Sequence, residues 1–450
     1  KQEITQLLKS LNWQKIVIPK AFIGSIKEIK DKLSNEIQTL ENEINNIECK
    51  MSKNKEENIL LLNKVYTRVK LESKIHELRQ QIIHGENIII FNAWVREKDV
   101  NKIEEIVQNI TDKYVVMARK PSELPDKLVP PTLLKNNWFY KPFESIVKLY
   151  GLPASNELDP TPFLAITFCL MFGIMFGDLG QGFVYFLAGL LFLYKKSETI
   201  GGVLTRLGIS SMIFGLVYGS FFGIEDIPIL EHIRLITPLE SSSILIILLM
   251  GIIFGIVMLT VSYLFGVINY IKKKDLQEAL FGKNGVAGYL FFASLILTAL
   301  SVTKIVNLSI NTSLLFMGTS ILLMIFKEPL TNLLLKKRPL IHGAKSEYYI
   351  ESGFEGIETI LSTLSNAISF IRVGAFALNH AGLFLAFLVI SELMPNVALK
   401  FLILLIGNIL ILVLEGLVVF IQGLRLQYYE MFSKYFSGNG IEYKPIKCDE

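Results

Sequence analysis

A single arginine, Arg372, lies in the middle of an apolar stretch that is long enough to cross a membrane. A charged guanidinium near the centre of a bilayer costs roughly 2.5–3.5 kcal/mol on insertion scales. Arginine stays protonated in proteins, so it cannot avoid that cost by losing its charge. Ionisable residues at such depth mark ion or substrate pathways. We therefore expect the function of this chain to lie around Arg372.

Four further ionisable residues in two neighbouring apolar stretches could take part in proton transport, three as relays and one, an arginine, as a fixed charge. His380 falls on roughly the same helical face as Arg372, and Glu358 precedes both near the same stripe. In the next stretch, Glu415 and Arg425 are about 15 Å apart along the helix axis. Carboxylates and histidine can relay protons, whereas an arginine favours the charged form of a nearby carboxylate. The pattern indicates two offset proton paths separated by positive charge, with Glu358 on the cytoplasmic side.

The same residues also have structural interpretations. Arg372 could form an ion pair with Glu358 or Glu415 inside a helix bundle. Arg425 could extend to lipid headgroups, and His380 could hydrogen-bond across helices. The sequence alone leaves these alternatives open.

Long apolar runs predict that these residues lie on membrane helices, because about 20 helical residues cross a bilayer. We predict eight spans near residues 161–177, 180–194, 201–222, 242–269, 285–302, 313–326, 355–393 and 397–436. Gly177 and Asp178 join the first two spans, and we expect a structural role for both, with Asp178 capping a helix. The last two spans run to about 40 residues, so they must tilt or extend out of the bilayer.

Basic residues cluster in alternate loops of this map, which is typical of cytoplasmic loops. If the N-terminus is cytoplasmic, the outer loops carry only Arg234 and Lys304 as basic residues, and loop 224–241 is acidic. This distribution predicts a multi-pass membrane protein with both termini in the cytoplasm, located in the cell membrane if the source is prokaryotic.

Residues 1 to about 145 are polar and charged, which predicts a soluble N-terminal part. We assign 1–20 to part of a distal α/β lobe, 21–85 to a coiled-coil arm, 86–128 to a proximal α/β lobe, 129–160 to a linker, 161–436 to the transmembrane domain and 437–450 to a cytoplasmic tail. The fold class is thus mainly α, with small α/β lobes.

Apolar residues in the arm recur at three- and four-residue steps, close to heptads, with an irregularity expected around 53–58. No partner helix is evident in the sequence. In the proximal lobe we expect a buried strand over 87–95, a helix over 97–110 and a strand over 113–118, which would form a βαβ unit.

Several function classes find no support in the sequence. The three cysteines follow no metal or redox spacing, and there is no Walker-type phosphate loop. The net charge of +4 forms no basic stripe with interleaved aromatic residues. We therefore expect no cofactor, no metal, no nucleic-acid partner and no ATP hydrolysis by this chain itself.

Four short motifs and the ionisable residues follow one order along the chain. They are FNAWV at 91–95, PPTLLKN at 130–136, DPTPF at 159–163, FGDLG at 176–180, then Arg372 with His380 and Glu415 with Arg425. In this order they resemble the membrane stator subunit of rotary V/A-type ATPases, called subunit I in bacterial and archaeal enzymes and subunit a in eukaryotic vacuolar ones. The resemblance covers nearly the whole chain. That family's soluble domain begins further upstream, so we expect this chain to be a C-terminal portion of such a subunit.

The resemblance implies a mechanism. The last two helices would face a rotating ring of proteolipid (c/K-type) subunits, and H⁺ or Na⁺ would pass through two half-channels, coupled to ATP hydrolysis or synthesis. Arg372 would keep each arriving ring carboxylate ionised, with help from Arg425. Glu358 would line the cytoplasmic side, and Glu415 and His380 the outer side. Expected partners are peripheral stalk subunits (E/G type), a central-stalk adaptor subunit (C/d type) and the lipid bilayer.

Two other functions compete with this interpretation. A standalone secondary transporter would use Arg372 in its substrate site and would show discontinuous helices and repeated halves, but no internal repeat is convincing. A purely structural anchor for the stalks would tolerate replacement of Arg372.

Overall fold

The computed structural model describes residues 25–80, 82–85, 88–123, 128–195, 198–224, 232, 234–236, 238, 241–304, 307, 309–336 and 345–445. The predicted lobe at 1–20, most of loop 224–241 and the end of the tail lie outside these residues. The chain divides into two compact units between Val95 and Arg96.

The first unit contains one very long helix, α1 (Ile26–Gln80), of 55 residues. It continues through 53–58 without the predicted irregularity, since that segment contains neither proline nor glycine. Its apolar stripe is solvent-exposed: Ile37, Leu40, Ile44, Ile47 and Met51 are 53–68% accessible. The helix of the arm is therefore present, and its pairing into a coiled coil stays a prediction.

The predicted βαβ unit forms only in part, because its first strand is shortened to two residues and its second strand is missing from the described residues. Among the described residues, β1 (Ile83–His84) and β2 (Ile89–Ile90) form an antiparallel pair, and residues 113–118 form no strand. Sheets are stabilised by cross-strand partners and a covered face, whereas Ile89 is 67% and Val115 80% exposed. The predicted helix does form, as a 3₁₀ turn (Glu97–Asp99) followed by α2 (Val100–Ile110).

The second unit consists mainly of helices. After α2 they are α3 (Glu144–Tyr150), α4 (Thr161–Met175), α5 (Leu179–Tyr194), α6 (Glu198–Tyr218), α7 (Ser241–Lys272), α8 (Leu276–Phe281), α9 (Val286–Val302), α10 (Ile310–Ile325), α11 (Lys327–Leu334), α12 (Lys345–Ser369), α13 (Ile371–Glu392), α14 (Val397–Leu410), α15 (Gly416–Arg425) and α16 (Ser433–Tyr435). Two π-helical segments, Ile411–Glu415 and Leu426–Phe432, join the last three helices into one rod.

Five described helical stretches are long and apolar enough to cross a membrane. They are Glu198–Tyr218, Ser243–Lys272, Leu276–Val302, Ser346–Glu392 and Val397–Tyr435. The pair α10 and α11, bent by 73°, would make a sixth. Helices α4 and α5 are shorter, at 15 and 16 residues, so the count of eight spans stays a prediction. The last two stretches, of 47 and 39 residues, are as long as the sequence predicts.

Helices α5 and α6 lie close together because glycines face the opposing backbone. A Cβ atom added at Gly189 would come within 2.5 Å of the Thr205 nitrogen, and one at Gly208 within 2.5 Å of the Phe186 nitrogen. Small residues of this kind allow close approach of membrane helices. This contact fixes α5, whose N-cap residue is Asp178.

The linker before α4 and the tail after α16 are bound to each other in what we call the clasp (Thr132, Lys148, Leu152 and 440–443). The backbone nitrogen of Thr132 donates to the Ile441 carbonyl at 2.7 Å, and the Tyr443 nitrogen donates to the Thr132 carbonyl at 3.1 Å. Lys148 Nζ lies 2.8 Å from Glu442 Oε1. The tail is therefore ordered along 440–443 by main-chain pairing.

Candidate functional site

Arg372 lies just after a break between two helices. Helix α12 ends at Ser369 and α13 begins at Ile371. Arg372 Nη2 donates to Ser369 Oγ at 3.1 Å, and the Ser369 hydroxyl donates in turn to Glu430 Oε1. Glu430 is buried, with 5% of its surface exposed. Arg372 is thus connected to the last helical rod through one serine.

Arg425 lies at the end of α15, with its side chain exposed. It is close enough to Arg372 for the two charges to act on each other, and the charge of Glu430 acts on Arg372 in the opposite sense. We call Ser369, Arg372, Arg425 and Glu430 the arginine cluster. It combines two positive groups with one buried carboxylate.

Both π-helical segments contain or adjoin the ionisable residues of the last helical rod. Glu415 closes the first segment, Glu430 lies inside the second, and Arg425 directly precedes the second. A π turn inserts one extra residue into an α-helix and leaves carbonyls without regular partners. The Tyr185 hydroxyl donates to one of these carbonyls, that of Leu412. Side chains from α5 therefore support the irregular backbone that places Glu415.

Glu415 forms the centre of a second polar group. His380 Nδ1 lies 2.8 Å from Glu415 Oε2, and Asn379 Nδ2 donates to Glu415 Oε1 at 3.2 Å. Glu415 and His380 are each 5% exposed. The His380 ring packs against Phe176, with ring centroids 4.6 Å apart. We call Asn379, His380 and Glu415 the histidine–glutamate group.

A small cavity of about 10 Å³ lies beside His380. Ser220, Gly223 and Gly177 contribute to its wall. The Nε2 atom of His380 is buried and has no hydrogen-bond partner within the described chain. A volume of this size holds about one water molecule, so the cavity is sized for a single hydrogen-bonded water next to the imidazole.

Asp178 holds the turn that forms this wall. Its carboxylate is fully buried and accepts from the backbone nitrogens of Gln181 (2.8 Å), Phe222 (3.0 Å) and Gly223 (2.7 Å) and from the Ser220 hydroxyl (2.6 Å). It caps α5 and ties that helix to the turn after α6. A Cβ at the neighbouring Gly177 would lie 2.5 Å from the Tyr218 ring, so Gly177 permits the close packing there.

Glu358 lies apart from both groups. It is exposed on α12, and its Oε1 lies 3.4 Å from Lys283 Nζ. One turn earlier, Glu355 pairs with Lys327 at 2.7 Å. Glu358 is therefore exposed on the same helix that leads to Ser369.

Ser369 and Glu430 are site residues that were not predicted from the sequence. A signal for Glu430 was present, since it is an acidic residue inside the apolar stretch 397–436, five positions after Arg425. Ser369 carries no comparable signal. Among the described residues, no cluster of three or more His, Cys, Asp or Glu side chains could hold a metal ion.

Comparison with known proteins identifies the family of this chain. Residues 1–223 and 336–448 match the model of the V-type ATPase 116kDa subunit family. The A-type ATP synthase subunit I of Saccharolobus solfataricus is 29% identical over 490 residues, which cover 94% of this chain and 66% of that protein. The subunit of the same name from Methanocaldococcus jannaschii is 27% identical over 469 residues, covering 95% of this chain and 64% of that protein.

A bacterial relative also matches. The V-type ATP synthase subunit I 2 of Treponema pallidum is 29% identical over 186 residues, 39% of each chain. The chain spans slightly less than two thirds of the length of the two archaeal relatives. The family match leaves out residues 224–335 and covers more than half of the chain. The chain is therefore a member of the V-type ATPase 116kDa subunit family.

Proposed function

We propose that this chain is the membrane stator subunit of a rotary ATPase, where it forms two offset ion half-channels and couples H⁺ or Na⁺ movement to ATP hydrolysis or synthesis. One observation carries the proposal. The arginine cluster and the histidine–glutamate group occupy the same pair of helical rods, α12–α13 and α14–α16, at different positions along them. Eight helical residues separate Arg372 from His380, or about 12 Å along the axis.

The arginine cluster would act on the carboxylate of a rotating ring subunit. Arg372 Nη1 is buried and has no partner among the described residues, so one donor of this guanidinium is available to an incoming oxygen. A positive charge within ~4–6 Å favours the ionised form of a carboxylate. A ring carboxylate would therefore release its ion before passing Arg372, and ions could not cross directly from one half-channel to the other. Arg425, at the exposed end of α15, would assist.

The two half-channels would lie on either side of this cluster. On the outer side, the buried Glu415 and His380 would exchange protons with the water-sized cavity beside His380. On the cytoplasmic side, the exposed Glu358 would receive ions from solvent along α12. Both arrangements agree with the rule that ionisable residues in membranes face cavities or one another.

The remaining assignments follow from the same proposal. The proteolipid ring would face the two long rods, within an eight-span domain that counts α4 and α5 as short spans. Both termini would be cytoplasmic, and in a prokaryote the complex would lie in the cell membrane. The exposed stripe of α1 would pair into a coiled coil and bind peripheral stalk subunits, and a central-stalk adaptor subunit would complete the assembly.

Ion pumping by reconstituted complexes tests the proposal. The full-length subunit would carry Arg372→Ala, with Arg119→Ala, an exposed arginine outside the apolar helices, as the matched control. We expect ATP-driven pumping to fall at least about tenfold in the Arg372 variant while assembly stays intact, and to stay normal in the control. Normal coupled pumping by Arg372→Ala in an assembled complex would contradict the proposal and favour a structural anchor. Ion flux through the isolated subunit at the rate of the whole complex would favour a secondary transporter.

A further inference from the structure

Glu430 is a buried carboxylate that the half-channel scheme does not use. It lies in the π-helical segment Leu426–Phe432 with 5% of its surface exposed. Burying a carboxylate in an apolar region is costly unless hydrogen bonds or charges compensate. Its Oε1 accepts from Ser369, and its Oε2 has no hydrogen-bond partner within the described chain.

The Ser369 hydroxyl connects Glu430 to Arg372. A guanidinium can only donate and an ionised carboxylate can only accept, whereas a hydroxyl does both. The direction of the two hydrogen bonds is therefore determined: Arg372 donates to Ser369, and Ser369 donates to Glu430. A methyl group in place of the hydroxyl would interrupt this connection without removing either charge.

Electrostatics add to the hydrogen bonds. Arg425 acts unfavourably on the charge of Arg372, and Glu430 acts favourably. The arginine side chain has many rotamers, and holding it in one geometry costs conformational entropy. Without Glu430, Arg372 would lose its indirect anchor and would still be repelled by Arg425.

We propose that Glu430, acting through the Ser369 hydroxyl, is a positioning residue that holds the guanidinium of Arg372 at the place where it separates the two half-channels. This inference rests on the proposed function. Glu430 itself does not touch the transported ion. When Glu430 or the hydroxyl is removed, Arg372 moves away from the ring, protonated carboxylates pass it, and ions leak across the membrane without ATP turnover.

Four variants of the full-length subunit in assembled complexes test this role. Glu430→Ala and Ser369→Ala break the connection, whereas Glu430→Gln keeps an acceptor and Ser369→Thr keeps a hydroxyl. Ser433→Ala is the matched control, because the Ser433 hydroxyl is exposed and, among the described residues, donates only to the Tyr429 carbonyl one helical turn earlier. The readouts are ions pumped per ATP hydrolysed and the passive ion leak into vesicles without ATP.

We expect both broken variants to lose coupling by about tenfold, as for a misplaced charged group, and to gain a passive leak. The Gln and Thr variants should retain more than half of the wild-type coupling, and Ser433→Ala should behave as wild type. A merely structural role of Glu430 would lower the yield of assembled complexes and leave coupling normal in those that form.

Three results would overturn the inference. The first is normal coupling in both Glu430→Ala and Ser369→Ala. The second is a Glu430→Gln variant that pumps as little as Glu430→Ala without leaking, which would make Glu430 a proton relay. The third is normal pumping by Arg372→Ala in the same preparations, which would overturn the proposed function as well. If Glu430→Ala does not assemble, Ser369→Ala decides, since it removes a single oxygen atom.

Discussion

His380 Nδ1 lies 2.8 Å from Glu415 Oε2, and this contact joins α13 to the π-helical segment of the last rod. Each residue is 5% exposed. At this burial the carboxylate depends on protein donors rather than on solvent. His380 and Asn379 are the donors that the described structure provides, so the pair depends on both helices keeping their register.

Replacing His380 by alanine should therefore damage ion transport more than replacing Asn379. The first change removes the shorter hydrogen bond and leaves a buried acceptor at a cost of about 1–3 kcal/mol. Asn379 is exposed and its bond is longer, at 3.2 Å. We expect ATP-driven pumping to fall roughly tenfold in His380→Ala. In Asn379→Ala the factor by which pumping falls should be less than half as large. Equal losses in assembled complexes would contradict a special role for the histidine.

Asp178→Ala should be among the most destabilising single substitutions. It removes the acceptor of four hydrogen bonds from a fully buried site, at an expected cost of about 3 kcal/mol or more. Asp275→Ala is the matched control, because the Asp275 carboxylate caps α8 with a single hydrogen bond within the described chain, from the Glu278 nitrogen at 3.2 Å. A lost cap of this kind costs about 1 kcal/mol. The thermal transition temperature of the detergent-solubilised protein measures the loss of stability in each variant. A larger decrease for Asp275→Ala than for Asp178→Ala would argue against the role of Asp178.

Arg206→Lys should also destabilise the protein, although the charge is kept. The buried guanidinium donates to the carbonyls of Phe139 (2.7 Å), Trp138 (2.6 Å) and Gly202 (2.7 Å) and lies 4.5 Å from the centre of the Trp138 ring. Lysine cannot reproduce this planar fork, and we expect a loss of about 1–3 kcal/mol. Arg119→Lys, at an exposed position, should leave the transition temperature unchanged. If Arg206→Lys unfolds at the wild-type transition temperature, a single positive charge at this position is sufficient for stability.

The clasp should loosen at acidic pH. The hydrogen bond and the charge of Lys148 lower the pKa of the Glu442 carboxyl. Because this pKa is lowered in the folded chain, the contact contributes stability above the unfolded pKa of about 4.3, and that contribution is lost as pH falls through the folded value. Hydrogen exchange of the Tyr443 amide, corrected for its intrinsic rate, should accelerate on acidification in the wild type. In Lys148→Met it should be faster at neutral pH and change less with acid; identical profiles would refute the role of this pair.

The apolar stretches and their charges were readable from the sequence because both depend on residue type alone. Arg372, His380 and Glu415 stand out as ionisable residues in long apolar runs, and the structure brings His380 and Glu415 into contact. The predicted strand at 87–95 is shortened to Ile89–Ile90, and residues 113–118 form no strand. Strand formation depends on a partner edge rather than on local composition.

The arginine cluster could not be derived from regular helical spacing. A helix of 3.6 residues per turn predicts which side chains share a face, but the two π-helical segments change that phase on either side of α15. The break after Ser369 changes it again between α12 and α13. A helical projection of the sequence therefore does not predict the hydrogen bond between Ser369 and Glu430.

The clasp also has a consequence for chain connectivity. It brings the segment that enters the helical domain, at Thr132, against the segment that leaves it, at Ile441 and Tyr443. Because these two segments are adjacent in space, the helices can pack in the same way whether or not the chain of the domain begins and ends at the clasp. A circular permutant of the membrane domain, joined across the clasp and opened between α6 and α7, would keep the contacts described for both polar groups, as expected for domains whose termini lie close together.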